Sequence, residues 1–170
     1  MDRDSSEVEP DEPPWLDQDE MESWLALASL FTRLPSALDA QLRRDAGISH
    51  FEYQVLAMLS AAEGHALRMS TLAELADGSL SRLSHVATRL EKRGWIARSP
   101  DPDDGRFTTA TLTGEGMTKL VETAPGHVRS VRRLVLDPLA PDQVGVLGAI
   151  ARRIVDAIEV HEGTSDLPLR

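Results

Sequence analysis

The run of residues 70–112 constrains this chain more than any other part of it, because it reads as two helices and a hairpin in close succession. Ser70 is placed to cap a short helix over 71–76, and Asp77-Gly78 breaks that helix at once. Ser79 is placed to cap a longer helix continuing to about residue 93, with Leu83, Val86, Ala87 and Leu90 on one face. Gly94 stands where a left-handed residue would end it. Two short runs, 95–99 and 107–112, then flank the polar, proline-braced stretch Pro100-Asp101-Pro102-Asp103-Asp104-Gly105. Thr108, Thr109 and Thr111 suit a pleated surface, so the pair reads as a hairpin.

Helical periodicity accounts for most of the rest. Trp24, Leu27, Phe31, Leu34, Leu38 and Leu42 recur at steps of three and four, predicting a helix over 17–44 with a kink or break at Pro35. Ser49 caps a predicted helix over 50–62 with Phe51, Val55, Leu56 and Leu59 inward, and Glu63-Gly64-His65 makes a turn. Thr113 caps a fifth helix, with Glu115 favourably placed for the dipole; Pro125-Gly126 is expected to break or bend it before it resumes to 134. Pro141 suits the first turn of a last helix, in which Val144, Leu147, Ile150, Ile154 and Ile158 form a stripe. The expected fold is mainly α with a small β-hairpin wing: a winged helix-turn-helix domain plus terminal dimerisation helices. Its expected divisions are an acidic disordered tail (1–16), an N-terminal dimerisation helix (17–48), a winged helix-turn-helix (49–112), C-terminal dimerisation helices (113–162) and a flexible end (163–170).

A net charge of -10 argues against a polyanionic partner until it is located. Residues 1–22 hold ten acids against Arg3, a net of -9, whereas the other 148 residues carry 18 acids and 17 bases. The acidity therefore belongs to the tail and says little about what the folded body binds. No cysteine is present, which excludes disulfides, thiolate metal sites and thiol redox sensing. No signal-like segment or bilayer-length apolar run is found, so the expected compartment is the cytoplasm, with no membrane partner.

In a helix-turn-helix the second helix enters the major groove of DNA and residues near its amino end meet base edges. Here that helix offers Ser81, Arg82, Ser84, His85 and Arg89, and Ser79 with the free amides at its start can hold a phosphate. Arg106 leaves the hairpin tip where a wing meets the minor groove, and Asp104, two residues away, can grip its guanidinium bidentately. From 82 to 106 six bases face four acids, a net of +2, so one copy is expected to bind weakly and a dimer is required.

These residues carry a resemblance. Leu72-Ala73-Glu74, Ser79 to Leu83, and Arg89-Leu90-Glu91-Lys92-Arg93-Gly94-Trp95-Ile96 resemble the recognition unit of the MarR family of winged-helix regulators. Asp101-Pro102-Asp103-Asp104-Gly105-Arg106 is similar to that family's wing signature, and Leu112-Thr113 with Gly116 and Leu120 to the entry of its fifth helix; the match covers about residues 31–157. The resemblance implies a homodimer with interleaved terminal helices. It also implies binding to a short DNA palindrome, usually as a repressor released by a small organic ligand, with Arg106 in the minor groove and Asp104 orienting it. Two positions depart from the family pattern: Gly78 replaces an apolar residue at the turn, and His85 stands where arginine is common.

Other chemistries find little support. His50, His65, His127 and His161 have no carboxylates at ligand spacing and read as structural or surface groups, so no metal or cofactor is expected. Ser79, Ser81 and Ser84 lack a histidine and acid in nucleophile arrangement, and an enzyme is not expected. The alternative is a winged-helix protein–protein adaptor without DNA binding, a reading that the low local charge and acidic tail suggest.

Overall fold

The computed structural model describes residues 13–162 except 77 and 103. The acidic segment through residue 12, the C-terminal stretch 163–170, Asp77 of the expected turn and Asp103 of the wing lie outside the described residues. The elements are α1 (Gln18–Ala46), α2 (His50–Ala61), β1 (Ala66–Arg68), α3 (Met69–Leu75), α4 (Leu80–Lys92), β2 (Ile96–Pro100), β3 (Thr108–Leu112), α5 (Gly114–Val131) and α6 (Pro141–Glu162). A 3-10 turn at Glu63–His65 precedes β1, and a π-helical turn at Arg132–Leu136 follows α5.

The chain divides between Leu34 and Pro35 into two compact units. In the first, the start of α1 is fixed reciprocally: the Glu20 amide donates to Asp17 Oδ1 at 2.9 Å and the Asp17 amide to Glu20 Oε2 at 2.9 Å. Trp15, Trp24, Leu25 and Phe31 of this unit are exposed.

The second unit holds the core. Phe51, Val55, Leu56 and Leu59 of α2 pack with Leu72 and Ala73 of α3 and with Leu83, Val86 and Leu90 of α4. Ile96, Ala110 and Leu112 close one side from the sheet and Leu120 another from α5. Each such aliphatic side chain contributes about 1.5–3 kcal/mol relative to exposure, enough to hold α4 firmly by one face. The sheet is antiparallel in the order β1-β3-β2, with Leu67 opposite Ala110 and Arg98 opposite Ala110 on its other side.

Several expectations are corrected. Of the break or kink expected at Pro35 and the break or bend expected at Pro125, the breaks do not occur: α1 and α5 each continue through their proline. A helical proline costs roughly 3 kcal/mol, and burial of Leu38 and Leu42 after Pro35, and of Leu120 before Pro125, works against that cost. Ser70 is not a cap: α3 begins at Met69, and the preceding Arg68 makes no capping bond. The cause is β1, a third strand too short to show periodicity, which pairs with β3 and runs directly into α3. Ser49, Ser79 and Thr113 do cap, and Gly94 ends the α4 segment at φ 74°.

Candidate nucleic-acid interface

Because Leu83, Val86, Ala87 and Leu90 face the core, α4 turns Ser81, Arg82, His85 and Arg89 outward and leaves Ser84 half-buried. Ser79 Oγ accepts the Arg82 amide at 3.2 Å. The first amides of α4 keep no intrahelical acceptor and can receive an anion.

One flank of α4 rests on α2. The Arg82 guanidinium lies 4.2 Å over the Phe51 ring, a stacking that steers the side chain without consuming its N–H donors. Arg89 Nε donates to Glu52 Oε1 at 3.1 Å, while Glu52 Oε2 accepts the Ser49 amide at 2.8 Å. Burial pushes the Glu52 carboxyl up, but the Ser49 and Arg89 donors outweigh it and hold the group below the ordinary carboxylate range. Glu52 thus closes the capping box of α2 and tethers α4 with one buried carboxylate.

The other flank meets the wing. Arg98 donates through Nη2 to Glu91 Oε2 at 2.6 Å and to Thr88 Oγ1 at 3.2 Å, tying β2 to α4. At the tip, Arg106 Nη2 donates to Asp104 Oδ2 at 2.6 Å and Nε to Oδ1 at 2.9 Å. That grip holds the Asp104 carboxyl below its ordinary range, and the Arg106 side chain stays 86% exposed. Beneath the tip, Asp101 accepts Arg68 Nε and Nη2 at 2.9 Å each, Thr109 Oγ1 at 2.9 Å and the Asp104 amide at 3.1 Å. The wing is therefore pinned to β1 at its base, and the guanidinium of Arg68 also covers the Phe107 ring at 5.0 Å.

A polar helix start, a wing with an outward arginine and a three-stranded sheet between them can be set against known proteins. The MarR family model matches residues 48–108. Sco3205, a MarR family transcriptional regulator of Streptomyces coelicolor solved in complex with DNA, is 43% identical, with 94% of this chain and 98% of that one aligned at a TM-score of 0.83. The chain belongs to the MarR family. AbsC, a MarR family regulator of the same organism, is 34% identical over 85% of this chain and 97% of its own, with a TM-score of 0.78. PapX of Escherichia coli, an HTH-type transcriptional regulator, is 37% identical over 71 residues, which is 42% of this chain and less than half (43%) of PapX. These relatives carry the names of regulators and not of enzymes.

A Cβ at Gly78 would come within 3.1–3.2 Å of the Phe51 ring edge, so Phe51 of α2 occupies the space that a side chain at this turn would need. His85 is exposed on α4 beside the same crevice as Arg82 and Arg89. The candidates Ser79, Ser81, Arg82, Ser84, His85 and Arg89 all lie on α4 or its cap, and Asp104 and Arg106 lie together at the wing tip. From the sequence, Phe51 falls in the core and Asp101 in the wing signature without a role at the interface, and Glu52 and Arg68 are not singled out. The Ser49-x-x-Glu52 spacing could have flagged Glu52, whereas the Arg68–Asp101 pair is separated by 33 residues and leaves no local signal.

Proposed function

We propose that this chain binds duplex DNA sequence-specifically as a homodimer, each copy presenting α4 to a major groove and Arg106 to the adjacent minor groove. Half-sites then lie about 34–36 Å apart, one helical turn. The observation that carries the reading is the Arg106–Asp104 clasp: it holds an exposed guanidinium in a fixed direction on a wing that is itself anchored. Asp104 orients, Arg106 reads groove shape, Arg82 and Arg89 serve bases or phosphates, and Ser79, Ser81, Ser84 and His85 supply further polar contacts.

The dimer is supported by α6, where Val144, Ile150, Ile154 and Ile158 are exposed along one stripe. Such a stripe is expected to be covered by another chain. We further propose that the regulator is a repressor responsive to a small organic effector and acts in the cytoplasm. A crevice of about 1250 Å³ beside α4, bordered by Arg43, His50, Arg82 and His85, offers room for such a ligand. Among the described residues no single helix is long and apolar enough to cross a membrane.

Selection of bound duplexes from a random library with purified protein, followed by salt titration, tests the reading. Binding is expected to weaken linearly on a log–log plot, with a slope of about -0.9 per neutralised phosphate. Arg106→Ala is expected to lower affinity for the selected site roughly 5- to 150-fold while the dimer persists. No duplex binding even at low salt would instead favour the adaptor role.

A further inference from the structure

We infer that Leu80 reads a thymine by its 5-methyl group in each half-site; this rests on the DNA-binding reading above. Leu80 is the first residue of α4, directly after the Ser79 cap, and it stays 53% exposed. It stands three residues before Leu83 and seven before Ala87, on their side of the helix, but in the first turn of α4 it is left uncovered by the core. On the wing-side flank it borders a notch of about 250 Å³ together with Ser84, Arg106, Phe107 and Thr108. Phe107 is exposed too, and Met69 joins it, so the notch combines three apolar side chains with hydroxyls and the guanidinium groups of Arg98 and Arg106.

The composition of that notch selects its occupant. The residues at the amino end of the second helix are the ones that reach base edges. In unmodified DNA the thymine methyl is the one apolar group that the major groove presents, beside the polar edges of all four bases. An apolar side chain held there by a capped helix therefore favours a T over a C at the position it covers. The hydroxyls of Ser84 and Thr108 on the rim suit the flanking phosphates, and Arg106 leads from there toward the minor groove, which makes the patch complementary to DNA and poorly suited to an apolar protein face. Ser81 and Arg82 specify neighbouring positions by hydrogen bonds, and Leu80 adds a contact that no hydrogen-bond scan would detect.

Single thymine-to-deoxyuridine replacements in the selected duplex, which delete only the methyl, test the inference with wild-type protein and Leu80→Ala. Losing one buried methyl corresponds to about fourfold in affinity. At one thymine per half-site the wild type is expected to lose about that factor, and Leu80→Ala to bind the thymine and deoxyuridine duplexes equally. Full deoxyuridine sensitivity in Leu80→Ala at every thymine, insensitivity of the wild type, or a selected half-site without thymine overturns the inference while leaving DNA binding intact. Failure to select any duplex overturns the DNA-binding reading itself and the inference with it. Unchanged circular dichroism and unchanged affinity for a random duplex show that Leu80→Ala is folded.

Discussion

Asp101→Ala is expected to destabilise the fold by about 2–3 kcal/mol, with the damage concentrated in the wing. The magnitude follows from what the carboxylate holds. Its side chain is 7% exposed and it accepts both Arg68 donors, the Thr109 hydroxyl and the Asp104 amide. Breaking a fully buried ion pair costs about 3–5 kcal/mol, because the surviving charge is stranded. Arg68 is 40% exposed and can turn to water, so screening and rehydration remove a good part of that cost. The loss of the Thr109 and Asp104 bonds adds about 0.5–1 kcal/mol each, giving the quoted total. Ile96, Ala110 and Leu112 keep β2 and β3 on the core, so the tip is released without the strands. Urea unfolding by circular dichroism measures the cost, and amide exchange at Phe107, whose N–H donates to the Asp104 carbonyl at 3.0 Å, reports the tip. A double-mutant cycle with Arg68→Ala is the decisive control. A loss below about 0.5 kcal/mol, or the same loss with Arg68 already removed, refutes the anchoring role.

Gly116→Ala is expected to cost more than about 2 kcal/mol by thermal unfolding, since a Cβ there would collide with the Trp95 carbonyl and crowd Leu112; a neutral effect would refute the close packing of α5 on the turn between α4 and β2. His50 and His127 are held below the ordinary histidine range, both by burial and His127 also by His50, although Asp39 pulls His50 partly back. The unfolded chain then binds more protons as pH falls through about 6.5, so stability is present at pH above that value and is lost below it; urea midpoints between pH 7.5 and 5.5 should fall in the wild type and flatten in the His50→Gln, His127→Gln double variant. Ile154→Asp on the exposed stripe of α6 should convert a dimer to a monomer in analytical ultracentrifugation, and a retained dimer would place the interface elsewhere.

The sequence alone determined the helical scaffold and the winged unit, because those signals are local: Ser49, Ser79 and Thr113 cap the amides that follow them, and Gly94 takes a φ that other residues resist. The Asp104–Arg106 clasp was legible for the same reason, two residues apart on one tip. Only tertiary structure decided that Pro35 and Pro125 stay within helices, since burial of distant side chains outweighs a local penalty. It also decided that Ala66-Leu67-Arg68 is a strand, which exists only because β3 offers it a partner. The sequence counted Arg98 and Arg89 alike among the bases near the interface, but the fold spends Arg98 on Glu91 and Thr88 and leaves Arg89 half in water beside Glu52. Charge can be counted along a chain, whereas the direction in which each charge points is set by what packs behind it.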